Sequence, residues 1–362
     1  MNLILLFRMM IFLLGLALVV ATVMSALRTL VLPRSVRDNL SRMVFRFTRK
    51  LFDIRLYRVS SFVKRDAIMA LYAPLSLLIL LLAWLILVTI GYMAMFWASG
   101  INSLNDAFVL SGSSLLTLGF ATGDTFLHTI LSFSESVLGL ILVALLIGYL
   151  PTIYSAFSRR ESAVKLLEVR AGAPPSAVEM FLRYHRIKWL YDMNSFWENW
   201  EVWFTEVEES HTSLAPLVFF RSPRSDQSWV TAAGTVLDAA SLALSVLDVP
   251  EDPQAALCIR SGYLALREIA TFFDIPHNPE PVYPDEPISI TRTEFDAAYE
   301  ELACAGIPLK ANREQAWQDF AGWRVNYDAV LLALCSLTMA PEATWSSDRT
   351  QEAQAQKVGV AN

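Results

Sequence analysis

Three stretches of this chain contain no charged residue: 9–27, 68–105 and 136–158. About 20 consecutive apolar residues are enough for a helix to cross the hydrocarbon of a bilayer. The chain is therefore constrained first of all to place these segments in a membrane, as predicted spans at about 9–27, 68–97 and 133–156. A cleaved signal peptide is the rival reading of the first run. It is disfavoured because no basic region precedes it, because the run is too long, and because apolar character continues to Leu32.

The stretch between the second and third runs organises the rest. Residues 104–117 read as a mostly apolar helix too short to cross. It ends in the small-residue turn Thr117-Leu118-Gly119-Phe120-Ala121-Thr122-Gly123-Asp124. Irregular backbone at membrane depth persists only where protein buries it or where it lines a water-filled cavity. A segment that dips in and returns is the arrangement expected, and the small run Ser111-Gly112-Ser113-Ser114 suits close packing of such an element. In a pore loop the backbone carries the chemistry. Four copies of Thr117, Leu118, Gly119, Phe120 and Ala121 would point carbonyl oxygens at an axis and replace an ion's hydration shell. Thr117 would add its hydroxyl at the inner end, while Leu118 and Phe120 pack back against the short helix. The rival reading is a tight turn between buried helices with no ion pathway.

Thr117-Leu118-Gly119-Phe120 resembles the start of the Thr-Val-Gly-Tyr-Gly-Asp filter of tetrameric potassium channels. The helix from Glu135 through Gly148 is similar to the pore-lining inner helix of the bacterial two-transmembrane (pore-loop) potassium and cation channel family. The resemblance covers about residues 66–160. It implies a homotetramer, a permeant cation held at Thr117 and Leu118, an outer mouth at Thr122, Gly123 and Asp124, and no cofactor beyond permeant potassium. The sequence departs from the family where a second filter glycine is expected. Ala121 stands there, and the Gly-Asp pair arrives late as Gly123-Asp124. A left-handed residue other than glycine costs roughly 1–2 kcal/mol, so a relaxed outer ring and reduced potassium selectivity are expected.

Charge separates the halves. Residues 1–156 carry 12 Lys and Arg against 6 Asp and Glu, and the remainder carries 17 against 29. The acidic half excludes nucleic acid as a partner, since phosphate recognition needs a basic surface. Ten of the basic residues fall within 34–65, interleaved with Val36, Leu40, Val44, Phe47, Leu51 and Ile54. Basic loops stay cytoplasmic, so this segment is either a solvated loop or a helix in the headgroup plane. With it inside, the N-terminus and the pore loop face outward and the C-terminus is cytoplasmic, in a multi-pass protein of the cell membrane. Ser158-Arg159-Arg160 at the inner end of the third span agrees. Cys258, Cys304 and Cys335 form no CxxC pair and are odd in number, which fits a reducing compartment.

The fold class expected is all-α, a membrane pore domain with a cytoplasmic helical domain. The divisions are 1–33 (first span), 34–65 (basic segment), 66–157 (pore domain), 158–341 (cytoplasmic domain) and 342–362 (disordered tail). Pro174-Pro175 separates two helices, Thr291-Arg292-Thr293-Glu294 is a capping box, Gly306 ends that helix, and a last helix runs from about Glu314 to Met339. Phe196, Trp197, Trp200, Trp203 and Phe204 recur at helical spacing and read as core. Gly139, Gly148 and Pro151 in the third span are either a gating hinge or close-packing positions, and the two readings stand level. Glu135 reads as a solvated interfacial residue in preference to a brace for the filter. Glu208, Glu209 and His211 read as a solvated helix end in preference to metal ligands. His128, His185 and His277 are isolated, and no nucleophile–base pattern supports an enzyme.

The function expected is a tetrameric cation channel, potassium-permeable and regulated through its cytoplasmic domain. The gating stimulus (proton, calcium, nucleotide or protein) is open. The alternative is a non-conducting membrane-anchored sensor or scaffold.

Overall fold

A computed structural model describes residues 3–32, 38–250 and 252–349. Val36 and the two basic positions Arg34 and Arg37 therefore lie outside the described residues, as does the tail from position 350 onward. Thirteen α-helices and one 3-10 turn make up the described chain, with no strand among them. One isolated antiparallel bridge joins Leu247 and Leu309. Three helical stretches are long and apolar enough to cross a membrane: Leu3–Leu30, Phe62–Ala98 and Phe126–Ala171. By length and composition they suggest a membrane protein. The chain divides into two compact units.

The first unit contains α1 (Leu3–Leu30), α2 (Asn39–Leu56), α4 (Tyr72–Ala98), α5 (Leu104–Leu115) and α6 (Phe126–Ala171) as far as Tyr154. Helices α1 and α4 run antiparallel, because Phe7 meets Trp97 while Ser25 accepts a hydrogen bond from Trp84 Nε1 at 3.0 Å. Two glycines set their crossing. A Cβ on Gly15 would lie 2.5 Å from the Gly91 carbonyl oxygen, and one on Gly91 would lie 2.6 Å from Val19. Small residues let apolar helices approach closely where lipid supplies no hydrophobic drive between them. Leu80, Trp84, Val88, Met95 and Phe96 fill the interior. Leucines and isoleucines stay exposed along the outer faces of all three long helices.

The second unit takes residues 61–67 from α3 (Phe62–Met69) and its approach, and everything described from Ser155 on. Residues 61–65 of the expected basic segment, and residues 66–67 and 155–157 at the two ends of the expected pore domain, thus group with the second unit. Asp66 accepts from Arg221 Nη1 at 2.8 Å inside this unit. At its centre is α9 (Trp229–Ser245), buried on nearly every side. A helix apolar all round belongs in a core. Around it pack α7 (Ala177–Arg186), α8 (Asn194–Ser213), α10 (Pro253–Phe272), α12 (Arg313–Arg324) and α13 (Asp328–Thr338), with α11 (Arg292–Cys304) against α7. The aromatic stripe of α8 is core, with Trp197 and Phe204 almost completely buried. Thr291 and Glu294 form the expected capping box, and Gly306 follows α11 at φ +78°.

Two expectations are corrected. The single helix from about Glu314 to Met339 is two, α12 and α13, broken at residues 325–327. No proline stands at the break, and Gly322 lies in the last turn before it. The break turns Arg324, Tyr327 and Asp328 together toward the buried Asp238. The Arg324 guanidinium is bonded to Asp238, to Asp328 Oδ1 at 2.7 Å and to the Trp345 carbonyl at 2.6 Å. Tyr327 donates to Asp238 at 2.9 Å. The expected disordered tail also begins too early, because Ala343, Trp345, Ser346 and Ser347 are buried, with Trp345 against Phe320.

Candidate functional site

Helix α4 ends at Ser99 and Gly100, and Ser103 caps α5 by accepting from the Asp106 N–H at 3.0 Å. From there α5 turns back alongside both long helices. Ser111 lies within 3.3 Å of the Thr89 carbonyl, well before the end of α4. At the far end of α5, the Leu115 carbonyl oxygen is where a Cβ of Gly139 would stand, 2.4 Å away. Gly139 is thirteen residues into α6, about 20 Å along its axis at 1.5 Å per residue. Helix α5 therefore points inward between α4 and α6, and residues 116–125 carry the chain back out.

Polar contacts fasten α5 in place. Ser111 Oγ donates to Glu135 Oε1 at 2.5 Å, and Ser136 Oγ donates to the Ser114 carbonyl at 2.7 Å. Glu135 is fully buried and its other oxygen has no partner. The expectation of a solvated Glu135 is thus overturned, since the packing of α5 covers it. Gly139 serves close packing, whereas the missing Cβ of Gly148 faces open space. Pro151 lies inside α6, which continues to Ala171.

The turn after α5 has a distinct backbone pattern. The Thr117 N–H donates to the Ser114 carbonyl at 3.0 Å, and that of Leu118 to Ser113 at 2.8 Å. The Ala121 N–H reaches Ser113 Oγ at 3.1 Å. No hydrogen bond from a described residue ends on the carbonyl oxygens of Thr117, Leu118, Gly119 or Phe120. The N–H groups of Thr117, Leu118, Gly119 and Ala121 thus face α5, while these four carbonyls are left over. Gly119 adopts φ +73° and Thr117 φ +55°. A β-branched residue with positive φ is an outlier, and such strain concentrates at functional sites. Ala121 does not take a left-handed φ. Thr117 Oγ1 donates to the Leu116 carbonyl at 2.8 Å.

Leu118 and Phe120 are not packed back on α5 as expected. They are 60% and 69% exposed in the single chain. Behind the turn, Gly123 presses on His128, and His128 Nε2 meets Ser99 Oγ at 3.0 Å. Thr122 and Asp124 are exposed. Sequence reasoning missed Ser111, Ser113, Ser99 and the burial of His128. The serine run at 111–114 was their one visible trace.

The second unit gathers no comparable constellation, and no cluster of three or more acidic, His or Cys side chains suited to a metal occurs among the described residues. His211, expected at a solvated helix end, is fully buried. Its Nε2 accepts from Arg160 Nη1 at 3.1 Å, and Arg160 also donates to the carbonyls of Leu217 and Phe220. Burial first, and the Arg160 charge second, hold the His211 imidazole well below its ordinary pKa. Glu209 is exposed and Glu208 partly so.

No family model, no curated protein and no solved structure matches this chain. What stands without them is a chain whose described residues are all-helical, with three helices of membrane-spanning length among them.

Proposed function

We propose that this chain is a subunit of a homotetrameric pore-loop cation channel, potassium-permeable and lodged in a cell membrane. One observation carries the reading: the turn after α5 leaves the carbonyl oxygens of Thr117, Leu118, Gly119 and Phe120 without hydrogen-bond donors. Residues 117–120 are exposed in the single chain, where water serves these oxygens, but an assembly that buries the turn has to supply partners for them, since buried backbone acceptors are almost always satisfied. Four such rows about an axis would be satisfied by dehydrated cations. The same assembly gives the exposed Leu118 and Phe120 side chains neighbouring subunits to pack against. Thr122, Gly123 and Asp124 then form the outer mouth, and Gly148 with Pro151 remains the candidate bend near the inner one. The N-terminus lies outside, and the second unit is a cytoplasmic domain that regulates opening by a ligand or a protein.

Purified chain reconstituted in liposomes tests this by comparing potassium, rubidium and sodium flux. Expected is cation flux carried by a tetramer, with potassium and rubidium above sodium. A stable tetramer that passes none of the three ions, or a protein that stays monomeric, overturns it.

A further inference from the structure

We propose that α2 lies on the bilayer surface and selects anionic lipid headgroups. The helix carries two apolar faces. One is packed inside the first unit, where Val44, Thr48 and Leu56 are buried and the rings of Phe45 and Phe52 stand edge-on to Tyr72 at 6.1 and 5.7 Å. The other is a line at helical spacing, Met43, Phe47, Leu51 and Ile54, exposed by 62%, 58%, 47% and 70%. Beside that line stand Arg46, Lys50 and Arg55, with Arg58 just past the helix end, and none of the four pairs with a described residue. The acidic Asp53 is taken up by Arg49 at 3.1 Å.

Position supplies the second half of the argument. Ser25 donates to Asp38 at 2.8 Å, and Thr29 meets Ser41 at 2.7 Å, so the start of α2 is tied to the last turns of α1. Tyr72, the first residue of α4, donates to the Phe45 carbonyl at 3.1 Å. Helix α2 is therefore held where one apolar span finishes and the next begins. A helix with an apolar line flanked by cations sinks that line into the headgroup and acyl boundary. Its cations then meet the negative surface of the leaflet. A second copy is the poorer occupant, because it would bring the same cationic face and repel. The inference is independent of whether the chain conducts ions.

The test uses the full chain with Cys304→Ser, since Cys304 is the exposed cysteine and the other two are buried. Phe47→Cys carries a fluorophore, and the protein is placed in phosphatidylcholine vesicles with and without phosphatidylglycerol. Expected is quenching by shallow spin-labelled lipid, stronger for spin-labelled phosphatidylglycerol than for phosphatidylcholine, and weakened by salt. Each basic residue near a charged leaflet adds about a fivefold preference. Arg46→Gln, Lys50→Gln, Arg55→Gln and Arg58→Gln together should therefore lower that ratio by at least about tenfold, and by up to about 600-fold if the four act independently. The proposal is overturned by absence of quenching, by equal quenching from both lipids, or by a ratio the four substitutions leave unchanged. Disulfide formation between copies in the unlabelled Phe47→Cys variant would also overturn it.

Discussion

Gly139→Ala and Gly148→Ala form a matched pair that separates close packing from hinge bending. In both, the added methyl raises helix propensity by up to about 1 kcal/mol. That term cancels when the two variants are compared. At Gly139 the new Cβ would stand 2.4 Å from the Leu115 carbonyl oxygen and 3.1 Å from Leu115 Cδ1. Contacts shorter than 3.0 Å essentially never occur, so α6 must retreat from α5 by about 0.6 Å, and by about 1 Å to reach ordinary contact. A gap of that size forfeits a quarter to a half of each neighbouring dispersion contact. It also stretches the Ser136–Ser114 and Ser111–Glu135 hydrogen bonds beside it. Overpacking of this kind costs about 1–3 kcal/mol. At Gly148 nothing lies within 4 Å of the added carbon. Gly139→Ala should therefore be less stable than Gly148→Ala by about 1–3 kcal/mol, measured by denaturant titration in mild detergent. In liposomes Gly139→Ala should lose ion flux, because the α5 turn shifts with its helix. Equal stabilities, or Gly148→Ala as the weaker variant, would refute the reasoning.

The remaining expectations concern both units. Glu135→Ala leaves the Ser111 hydroxyl without its short partner and should destabilise by about 1–3 kcal/mol, whereas Glu135→Gln retains an acceptor and should lose clearly less; equal losses in the same titration would count against the brace. Arg324→Leu strands Asp238 and Asp328 in the core and should cost about 3–5 kcal/mol, seen as a lowered unfolding temperature of the second unit by tryptophan fluorescence. His211 is held neutral in the folded state, while the unfolded chain binds its proton near the ordinary value of 6.5. Its contribution is thus complete above about pH 6.5 and is lost as pH falls below it, by up to about 1.4 kcal/mol per unit. The stability difference between wild type and His211→Gln should shrink from pH 7.5 to 5.5, and a constant difference rejects the assignment. Replacing Ala121-Thr122-Gly123-Asp124 by Gly-Asp should raise the potassium-over-sodium permeability ratio in bi-ionic measurements. No change would mean that Ala121 is not what sets it.

The parts of the fold visible in the sequence are those whose physics is local. Charge-free runs mark the three long helices because lipid excludes charge over a fixed thickness. The Thr291–Glu294 box and Gly306 bracket α11 because capping acts within a few residues. What was not visible depends on contacts distant along the chain. Arg324 and Asp238 are 86 residues apart, and they meet where the helix ends, two residues after Gly322. Trp345 sits in a stretch with the polarity of a tail, yet its carbonyl completes that same guanidinium. His211 looked like the end of a solvated helix, and its burial follows from Arg160, 51 residues earlier.

The candidate site divides along the same line, and the division bears on how it works. Thr117, Leu118, Gly119 and Phe120 were legible as a turn, since glycine among small residues permits left-handed angles. The structure places left-handed angles at Thr117 and Gly119 and none at Ala121. A cost of roughly 1–2 kcal/mol therefore falls on Thr117, the residue whose N–H and whose neighbours' N–H groups are fastened to α5. Strain of that size persists only where surrounding contacts over-determine it. Here those contacts are Ser113 and Ser114 at the end of α5, held in turn by Ser136 and by the closeness of Gly139. The inner end of the turn is thus the rigid end. The outer end, from Ala121 to Asp124, rests on two bonds between Ala121 and Ser113, at 3.1 and 3.5 Å, and on the contact of Gly123 with His128. Any selectivity built on this turn should reside at Thr117 and Leu118. Substitutions at Ser113 or Ser114 should then disturb it more than substitutions at Thr122 or Asp124.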